Sequence, residues 1–503
     1  MLADPRQLRR HNFFVKPGYQ SRTQPSYFVD DTEDQHGIVY QPDVYEFVAR
    51  LGNCYGSRYV VDLGCGRAKK LVALRPRFEL IGVDFGENIE WCRSHYDFGE
   101  WIPSDFEAGP FVFPDRTKLR DAIPVCSDVL EHLLNPTHLL RTVRDLLEDS
   151  PVAVLTTPKR DLIRGPEDMG PPANPHHVRE WNRSEFTRLL EAAGLQVLFQ
   201  GLSVHNSQDW LKRTILAVVQ KPRPVPPVPP DFRVLVFICV YNEEDVIIPT
   251  LDHLIAQGVE VHIVDNWSKD RTVERVEKFL GRGVRAITRF PEAGPTATYD
   301  WHDLLRHVEI LAHGADADWV VAHDADEVRE SPWPELTLRE AIYRADQSGF
   351  NAIDHTALVF HPTGEPYSDH LPLPPQFRYF EFGKRPAHFL WIKGWRRQAG
   401  PVELAWSGGH EVRFPGRRVY PFRFLLRHYP IRTQEQGERK VFADRLPRFN
   451  RFERLVRGWH TQYNDLRKED SFIRDPTTLT PFDEKTFYQE YLVERLSGVG
   501  ILR

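Results

Sequence analysis

Two short polar motifs, each directly after an apolar run, lie on opposite sides of a proline-rich segment, and this arrangement constrains the fold most. The first motif, Asp62–Gly66, reads DLGCG, and the second, His323–Glu327, reads HDADE. Between them, Lys221–Pro230 holds six prolines in ten residues. Proline fixes φ and lacks an N–H, so this segment is excluded from helices and central strands and is predicted to be an extended spacer. The chain is therefore predicted to contain two α/β domains.

Length and composition agree with a globular protein of more than one domain. The chain has 503 residues, with 41% hydrophobic and 27% charged residues, which is too long for one ordinary core. Its net charge of −6 provides no basic field for nucleic acid. Five cysteines without a C-x-x-C pair argue against a disulfide framework or structural zinc, and they favour a reducing compartment.

The cellular location is predicted from the absence of apolar segments. The charged N-terminus has no apolar signal region, and no apolar run reaches the roughly 18 residues of a membrane span. We therefore expect a cytoplasmic protein without a transmembrane segment. Peripheral association with a membrane, through a partner or substrate, stays open, as does the oligomeric state.

Hydrophobic patterns divide the chain into four predicted segments. Short apolar runs alternate with helical patterns in both halves, which indicates βαβ units and mostly parallel sheets. The last two strands of the first half follow each other closely, so that edge is expected to be antiparallel. The predicted limits are residues 1–220 for the first domain, 221–230 for the linker, 231–435 for the second domain and 436–503 for a charged helical extension. The predicted strands are Tyr59–Leu63, Glu79–Asp84, Ile123–Ser127, Val152–Thr156, Gln196–Leu202, Thr214–Gln220, Arg233–Val240, Val259–Val264 and Trp319–Ala322. The predicted helices are Tyr45–Gly52, Thr137–Glu148, Ser184–Ala193, Glu244–Gln257 and Thr272–Gly281, with Ser184 as an N-cap.

The first motif has the features of an adenosyl-cofactor site. Gly64 and Gly66 let the backbone approach a ligand closely after the strand that ends near Asp62. Asp84 ends the next strand, where a carboxylate suits ribose hydroxyls. Asp105 follows a further segment and is a candidate acceptor for an adenine amine.

With these residues in place, residues 40–220 resemble the class I S-adenosylmethionine-dependent methyltransferases. The resemblance extends to Ser127–Leu133 (SDVLEHL), Leu155–Pro158 and His176–Trp181 (HHVREW). It implies a seven-stranded sheet and S-adenosylmethionine as the cofactor. It also implies that the glycine loop contacts the methionine part, Asp84 the ribose and Asp105 the adenine. Ala68 stands where many members keep a third glycine, and the weaker alternative is a nicotinamide-dinucleotide site.

Methylation of a hydroxyl oxygen benefits from a base that takes the proton. His132, His176 and His177 are the candidates, and His177 is preferred because it lies in a loop at the carboxyl-end face. The alternative for each is a histidine that only packs or fixes a loop.

The second motif has the spacing of a metal–diphosphate site. Asp324 and Asp326 supply oxygen ligands of the kind that Mg²⁺ or Mn²⁺ prefers, although an acidic turn exposed to solvent has the same pattern. The loop Val240–Asp245 follows one strand, and Asp265 begins the loop after the next. Both loops are expected at the same carboxyl edge of the sheet as the acidic pair.

In this order the three segments resemble a family 2-like glycosyltransferase of GT-A fold, over residues 231–435. The resemblance implies a nucleotide-sugar donor, with Asp265 near its base or ribose. It places Asp324 and Asp326 near a metal and the donor's diphosphate.

Further candidates are assigned to this second site by residue type. Lys393 and Arg396, with Arg397 beside them, are predicted to neutralise the departing diphosphate. The candidate additional metal ligands are His410 and His428, and the candidate bases are Glu411 and Glu403.

Taken together, the residues and resemblances predict a bifunctional enzyme, with two Rossmann-like α/β domains and a helical C-terminal tail. It is expected to transfer a sugar and a methyl group and so to build a methylated glycan, such as a surface polysaccharide or glycoconjugate. Two alternatives stay open: the methyl acceptor is a protein, lipid or small molecule, or one half is a binding scaffold without catalysis.

Overall fold

The chain forms two compact units. A computed structural model describes residues 12–24, 37–224, 226–383, 391–491 and 495–496. The first unit comprises Met1–Pro224 with Lys485–Val493, and the second comprises Val225–Glu484 with Glu494–Arg503. The division between residues 224 and 225 falls inside the proline-rich segment. Among the described helices, none is both long and apolar enough to cross a bilayer.

A seven-stranded sheet organises the first unit, as predicted. Its strands are β1 (Tyr59–Leu63), β2 (Glu79–Asp84), β3 (Glu100–Pro103), β4 (Ala122–Cys126), β5 (Ala153–Pro158), β6 (Gln196–Val204) and β7 (Lys212–Gln220). They lie in the order β3-β2-β1-β4-β5-β7-β6. Strands β1 to β5 pair in parallel, and β7 is antiparallel to both β5 and β6, which confirms the expected antiparallel edge. The strand order reverses beside β1, where it meets β4, and open α/β sheets bind ligands at such a point.

Continuous burial explains why β1 and β4 form central strands. Every residue of β1 and of β4 is buried, because helices cover both faces of a parallel sheet. The helices of this unit are α1 (Val44–Tyr55), α2 (Lys69–Val72), α3 (Gly86–His95), α4 (Thr137–Leu146), α5 (Arg160–Ile163) and α6 (Arg183–Ala192). A further helix, α13 (Glu484–Glu490), comes from the C-terminal part of the chain.

The predicted N-cap at Ser184 is wrong. The cap of α6 is Asn182, whose side chain accepts a hydrogen bond from the backbone N of Glu185 at 2.9 Å, while Glu185 bonds back to the Asn182 backbone. This reciprocal capping box satisfies the backbone N–H groups of Asn182 and Glu185. A cap at Ser184 would not pair these two donors with each other's side chains.

A second α/β sheet organises the second unit. Its strands are β8 (Val234–Val240), β9 (Glu260–Asp265), β10 (Val284–Arg289), β11 (Trp319–Asp324), β13 (Ala352–Ile353) and β16 (Gly394–Arg396), in the order β10-β9-β8-β11-β16-β13. Strands β8 to β11 pair in parallel, and β16 runs antiparallel to β11. The order reverses beside β8, so polar residues after β8, β9 and β11 meet at one carboxyl edge.

A five-stranded sheet in this unit was not predicted. It comprises β12 (Glu327–Glu330), β14 (His355–Phe360), β15 (Tyr379–Phe382), β17 (Phe424–His428) and β18 (Thr480–Pro481), in the order β12-β17-β14-β15-β18. These strands have two to six residues and come from distant parts of the chain, so no local period marks them.

The helices of the second unit are α7 (Ile247–Ala256), α8 (Thr272–Glu277), α9 (Trp301–His313), α10 (Leu338–Gln347), α11 (Gln434–Glu438) and α12 (Arg451–Leu455). Of these helices, only α7 and α8 were predicted with limits: α7 lies within the predicted Glu244–Gln257, and α8 begins at the predicted Thr272 but ends at Glu277, before the predicted Gly281. Helix α11 continues directly into a π-helical turn, Arg439–Arg445. The helical tail is therefore a series of short segments.

Candidate functional sites

The glycine loop after β1 is held in a conformation that requires glycine. Gly64 has φ +85°, and its backbone N donates to the carbonyl oxygen of Val83 at 2.7 Å. A Cβ at Gly64 would lie 2.3 Å from Cγ2 of Val129. Gly66 has φ +53° and donates its backbone N–H to Oδ2 of Asp84 at 2.7 Å. The loop therefore joins the carboxyl ends of β1 and β2 and lies against the segment after β4.

The predicted cofactor carboxylates are brought to this edge. Asp62 is fully buried and accepts a hydrogen bond from the Tyr45 hydroxyl at 2.7 Å. Burial, with the neighbouring Asp62 carboxylate, raises the pKa of Tyr45 well above 10. Oδ1 of Asp84 accepts from the backbone N of Phe85 at 2.7 Å. Asp105 is half-buried and accepts from the backbone N of Glu107 at 2.8 Å. The cofactor roles of these residues stay predictions.

The segment after β4 is tied to two other loops through Glu131. The Glu131 side chain is fully buried, and its Oε2 accepts from the hydroxyl of Thr157 at the end of β5 at 3.2 Å. Its carbonyl oxygen accepts from the backbone N of Val178 at 2.7 Å. Burial, with the carboxylate of Asp128, raises the pKa of Glu131 well above 4.5. The sequence motif contained Glu131, but no role had been predicted for it.

Two of the three candidate histidines, His132 and the preferred His177, meet in this place. The rings of His132 and His177 are perpendicular, with centroids 4.9 Å apart. Nδ1 of His177 lies 2.7 Å from Oε1 of Glu180, and its Nε2 lies 3.0 Å from Nδ2 of Asn174. Nδ1 of His132 lies 3.2 Å from the carbonyl oxygen of His176. The side chain of His176 itself is half-exposed and is not part of this pair.

Of the two rings, His177 is better placed to act as a base. Burial, reinforced by the nearby His177, lowers the pKa of His132 from 6.5 to about 4. A group that holds a proton so weakly is a poor general base at neutral pH. Glu180 orients His177 through its carboxylate, which is the relation expected between a base and its orienting group.

In the second unit, Asp324 ends β11 and faces an ammonium group. Nζ of Lys393 lies 2.9 Å from Oδ2 of Asp324 and 3.2 Å from Oε1 of Glu327. Arg329 also pairs with Glu327, at 2.6 Å. Although burial opposes it, the charges of Arg329 and Lys393 lower the pKa of Glu327 from 4.5 to about 2. Lys393 thus neutralises this acidic pair, a contact that the sequence did not reveal.

Asp326 faces a different group of cations. Nζ of Lys440, in the π-helical turn, lies 2.7 Å from its Oδ2, and Nη1 of Arg432 lies 3.8 Å away. Nε2 of His428 lies 3.5 Å from Oδ1. Although burial opposes it, Lys440 and His428 lower the pKa of Asp326 well below 3.8. The same cations reach Glu243 after β8, with Lys440 at 3.5 Å and Arg432 at 3.4 Å.

These contacts do not fit the predicted metal site. Among the described residues, the acidic and histidine side chains of the second unit do not bring three ligand atoms within 4.8 Å of one another. Asp324 and Asp326 each face an ammonium group instead. The predicted ligand His410 lies against the Trp391 ring, with centroids 4.9 Å apart, and His428, the last residue of β17, lies 6.0 Å from the same ring.

The remaining predicted residues are dispersed. Asp265 is buried at the end of β9 and accepts from the backbone N of Ser268 at 3.0 Å, so it does lie at the carboxyl edge. Arg396 pairs with Trp319 at the amino end of β11, so the structure does not bring it to Asp324. The reason is that β16 runs antiparallel to β11, which leaves only Lys393 at the carboxyl end.

The two candidate bases have partners outside the acidic pair. The Glu411 carboxylate pairs with Arg417 at 2.6 Å. Glu403 is exposed and forms an antiparallel bridge with Arg413. Both roles stay predictions.

Arg448, for which the sequence predicted no role, also lies at this edge. The Arg448 guanidinium lies 3.8 Å from the centre of the Tyr241 ring, and its Nη2 donates to Oδ1 of Asn266 at 3.0 Å. Its buried Nη1 has no hydrogen-bond partner among the described residues. A small pocket at the same edge extends from the apolar face of α9 to the acidic residue of β11; it is lined by Phe237, Cys239, Trp301, Leu305, Val308, Ala322, His323, Asp324, Lys393 and Gly409.

Comparison with protein families confirms both resemblances at the level of domains. Residues 40–200 match the family described as methyltransferase domain. Residues 235–298 match glycosyl transferase family 2. The second match covers β8 to β10 and ends before Asp324, so the acidic motif lies outside it.

Curated relatives are similar to part of the chain. A probable S-adenosylmethionine-dependent methyltransferase of Mycobacterium tuberculosis is 31% identical over 163 residues, which cover 32% of this chain and 54% of that protein. A second one, from Mycolicibacterium smegmatis, is 30% identical over 166 residues, covering 32% and 58%. The chain thus spans about half the length of the curated relatives it matches.

Two solved structures of methyltransferases are similar to part of the chain. One from Streptomyces caelestis has a TM-score of 0.31 and 15% identity, covering 39% of this chain and 95% of that one. An S-adenosylmethionine-dependent methyltransferase from Clostridium acetobutylicum has a TM-score of 0.29 and 12% identity, covering 37% and 93%.

Proposed function

We propose that the first unit transfers a methyl group from S-adenosylmethionine to a hydroxyl oxygen. The observation that carries this is the hydrogen bond from the Gly66 backbone to Asp84, at 2.7 Å, beside the point where the strand order reverses. It brings the glycine loop and the second-strand carboxylate together where an adenosyl ligand binds in open α/β sheets. The methyltransferase family match over residues 40–200 supports the same conclusion.

In this proposal the acceptor lies over the segment after β4 and the loop that carries His177. Bound S-adenosylmethionine would supply the methyl group and would depart as S-adenosylhomocysteine, and the glycine loop and Asp84 would hold it. His177, oriented by Glu180 at 2.7 Å, accepts the proton of the hydroxyl. His132 helps to fix the loop through the carbonyl oxygen of His176.

For the second unit we infer transfer of a sugar from a nucleotide-sugar donor. The family 2 match over residues 235–298 supports this inference. The buried Asp265 and the pocket beside Asp324 add to it, because both lie at the carboxyl edge of the same sheet. Arg448 offers a buried N–H to this edge, and a guanidinium binds diphosphate oxygens well. Metal dependence stays a prediction, because a cation would have to displace Lys393 from Asp324 and Lys440 from Asp326.

Together the two activities give a methylated glycan or glycoconjugate as the proposed product. The link between them rests only on their occurrence in one chain. The alternatives are a protein, lipid or small-molecule methyl acceptor, or one unit that binds without catalysis. The intact glycine loop with its Asp84 contact argues against a scaffold role for the first unit.

Methyl transfer is tested with isotopically labelled S-adenosylmethionine and a panel of glycan acceptors, with the product mass as the readout. Asp84→Asn is expected to reduce transfer at least tenfold, because the loop and the ribose both use this carboxylate. Glu87→Gln is the matched control, because Glu87 is exposed at the start of α3. Equal activity of wild type and Asp84→Asn would remove this cofactor site from the proposal.

Sugar transfer is tested with a nucleotide-sugar panel, scored for binding and for donor hydrolysis, with and without chelator and Mn²⁺. Arg448→Gln is expected to weaken binding of the productive donor by about tenfold or more, since it removes a charge-assisted hydrogen bond. Arg451→Gln, an exposed arginine nearby in sequence, is the control. Failure of every donor to bind the folded chain would refute this half of the proposal.

A further inference from the structure

Three side chains of the first unit converge, and two of them, His132 and His177, already have a place in the methyl-transfer proposal. Glu131, His132 and His177 each offer one ligand atom, and these atoms all lie within 4.8 Å of one another. Glu131 and His132 come from the segment after β4, and His177 comes from the loop after β5. The backbone bond from Val178 to the Glu131 carbonyl oxygen, at 2.7 Å, holds the two loops together.

The two imidazole rings are oriented as metal ligands are. Nδ1 of His177 faces a carboxylate oxygen of Glu180, and Nδ1 of His132 faces the carbonyl oxygen of His176. These oxygens only accept, so Nδ1 carries the proton and Nε2 the lone pair in each ring. Metal-binding histidines are held in this way by a carboxylate or carbonyl on their other nitrogen.

The carboxyl group of Glu131 supplies a second, independent observation. The side chain has no exposed surface, and Thr157 donates a hydrogen bond to its Oε2. Its other carboxyl oxygen, Oε1, is buried and has no N–H or hydroxyl donor among the described residues, and the same holds for Oδ1 of Asp128. The carboxyl groups of Glu131 and Asp128 face each other at hydrogen-bonding distance. Two buried carboxyl groups in contact need a proton or a cation between them, and a cation that binds Glu131 would meet this need.

We propose that Glu131, His132 and His177 bind one divalent transition-metal ion next to the methyl-donor site. Two imidazoles and one carboxylate form a ligand set that suits Zn²⁺, Mn²⁺ or Fe²⁺ and that leaves a coordination position open. Ligand atoms around such an ion lie roughly 3.3 Å apart when the bonds are about 2.0 Å long. The side chains would therefore close by up to about 1.5 Å on binding, and the amide of Asn174 would give up its contact with His177.

The position of the ion also indicates a class of methyl acceptor. This assignment of the acceptor rests on the proposed methyl transfer. Val129, between Asp128 and Glu131, packs directly against Gly64 of the cofactor loop. A hydroxyl bound at the open position of the ion would thus lie beside the methyl donor. A bound divalent cation would lower the pKa of a hydroxyl that coordinates it, so the hydroxyl would release its proton to solvent, and His177 would then act as a metal ligand rather than as the base assigned to it above. Acceptors with a hydroxyl that can coordinate the ion would therefore be selected.

Cobalt titration of the full chain tests the site without an activity assay. The protein is stripped with chelator and titrated with Co²⁺, while visible absorption and metal content are measured. Wild type is expected to bind one Co²⁺ with the absorption of a histidine-ligated ion. His132→Gln and His177→Gln are each expected to lose this band, and His176→Gln to keep it. Glu180→Gln is expected to weaken binding by roughly 10–100-fold, since Glu180 orients His177 without contacting the ion; its other oxygen pairs with Arg164 at 2.9 Å, so the fold of this variant is checked as well.

Further measurements separate this inference from the proposed function and from misfolding. Asp324→Asn is expected to keep the band, which assigns it to the first unit. Calorimetric binding of S-adenosylmethionine to the same stripped samples reports whether that unit is folded and binds its cofactor. Cofactor binding by stripped wild type without a cobalt band would overturn the metal site and leave methyl transfer in place. A band unchanged in both histidine variants would overturn it equally.

Discussion

Replacing Gly64 with alanine is expected to destabilise the first unit and to weaken S-adenosylmethionine binding. Two effects add at this position. The residue has φ +85°, a region that L-residues avoid, and a Cβ would lie 2.3 Å from Cγ2 of Val129. The backbone effect costs about 1–2 kcal/mol, and overpacking against a fixed neighbour costs about 1–3 kcal/mol.

The sum of the two effects predicts that Gly64→Ala lowers the free energy of unfolding of the first unit by about 2–5 kcal/mol. Gly56→Ala is the matched control, because Gly56 has φ +69° and nothing within 4 Å of its would-be Cβ. It should lose only about 1–2 kcal/mol. Calorimetric unfolding of the full chain measures both variants, and the transition that added S-adenosylmethionine raises belongs to the first unit.

The double variant Gly64→Ala/Val129→Ala isolates the clash. Removing the Cγ atoms of Val129 should recover about 1–3 kcal/mol relative to the sum of the two single changes. The double variant should also bind the cofactor more tightly than Gly64→Ala, since the glycine loop can return to its original backbone conformation. Additive losses in this cycle, or a Gly64→Ala variant no worse than Gly56→Ala, would refute the packing argument.

Two other predictions concern the second unit. Asp326→Asn leaves the buried cations that face it without their counter-charge, so the free energy of unfolding of this unit, measured by calorimetry, should fall by about 3–5 kcal/mol. The side chain of Asp324 is 33% exposed, so Asp324→Asn should lower the free energy of unfolding by less. A loss of sugar transfer in Asp326→Asn therefore indicates a functional role only if the variant is still folded. Burial, with the charges of His307 and Arg285, lowers the pKa of His262 from 6.5 to about 4, so the unfolded state takes up a proton first as pH falls. Stability should therefore decrease between pH 6.5 and 4, and His262→Gln should flatten this decrease; an identical slope in that variant would contradict the assignment.

The central strands of both sheets were predictable from sequence alone. Strands β1 and β2 begin and end at the predicted residues, because continuous apolar runs in a parallel sheet are buried on both faces. Since ligands bind at the carboxyl ends of such strands, the positions of Asp62, Asp84 and Asp265 followed directly.

Contacts between residues that are far apart in the sequence could not be predicted. Lys440 is 114 residues from Asp326, and no local pattern connects them. Arg396 was assigned to the diphosphate from its proximity to Lys393, but the antiparallel register of β16 carries it to the other end of β11. The convergence of Glu131 with His177 was likewise hidden, because it depends on how two loops dock.

The claim that the first unit binds an adenosyl methyl donor is tested most directly by calorimetric titration of S-adenosylmethionine into the full chain. One binding site per chain is predicted, with competition by S-adenosylhomocysteine and a clear loss of affinity in Gly64→Ala. A folded full-length chain that releases no binding heat and gains no thermal stability from the cofactor would contradict the account.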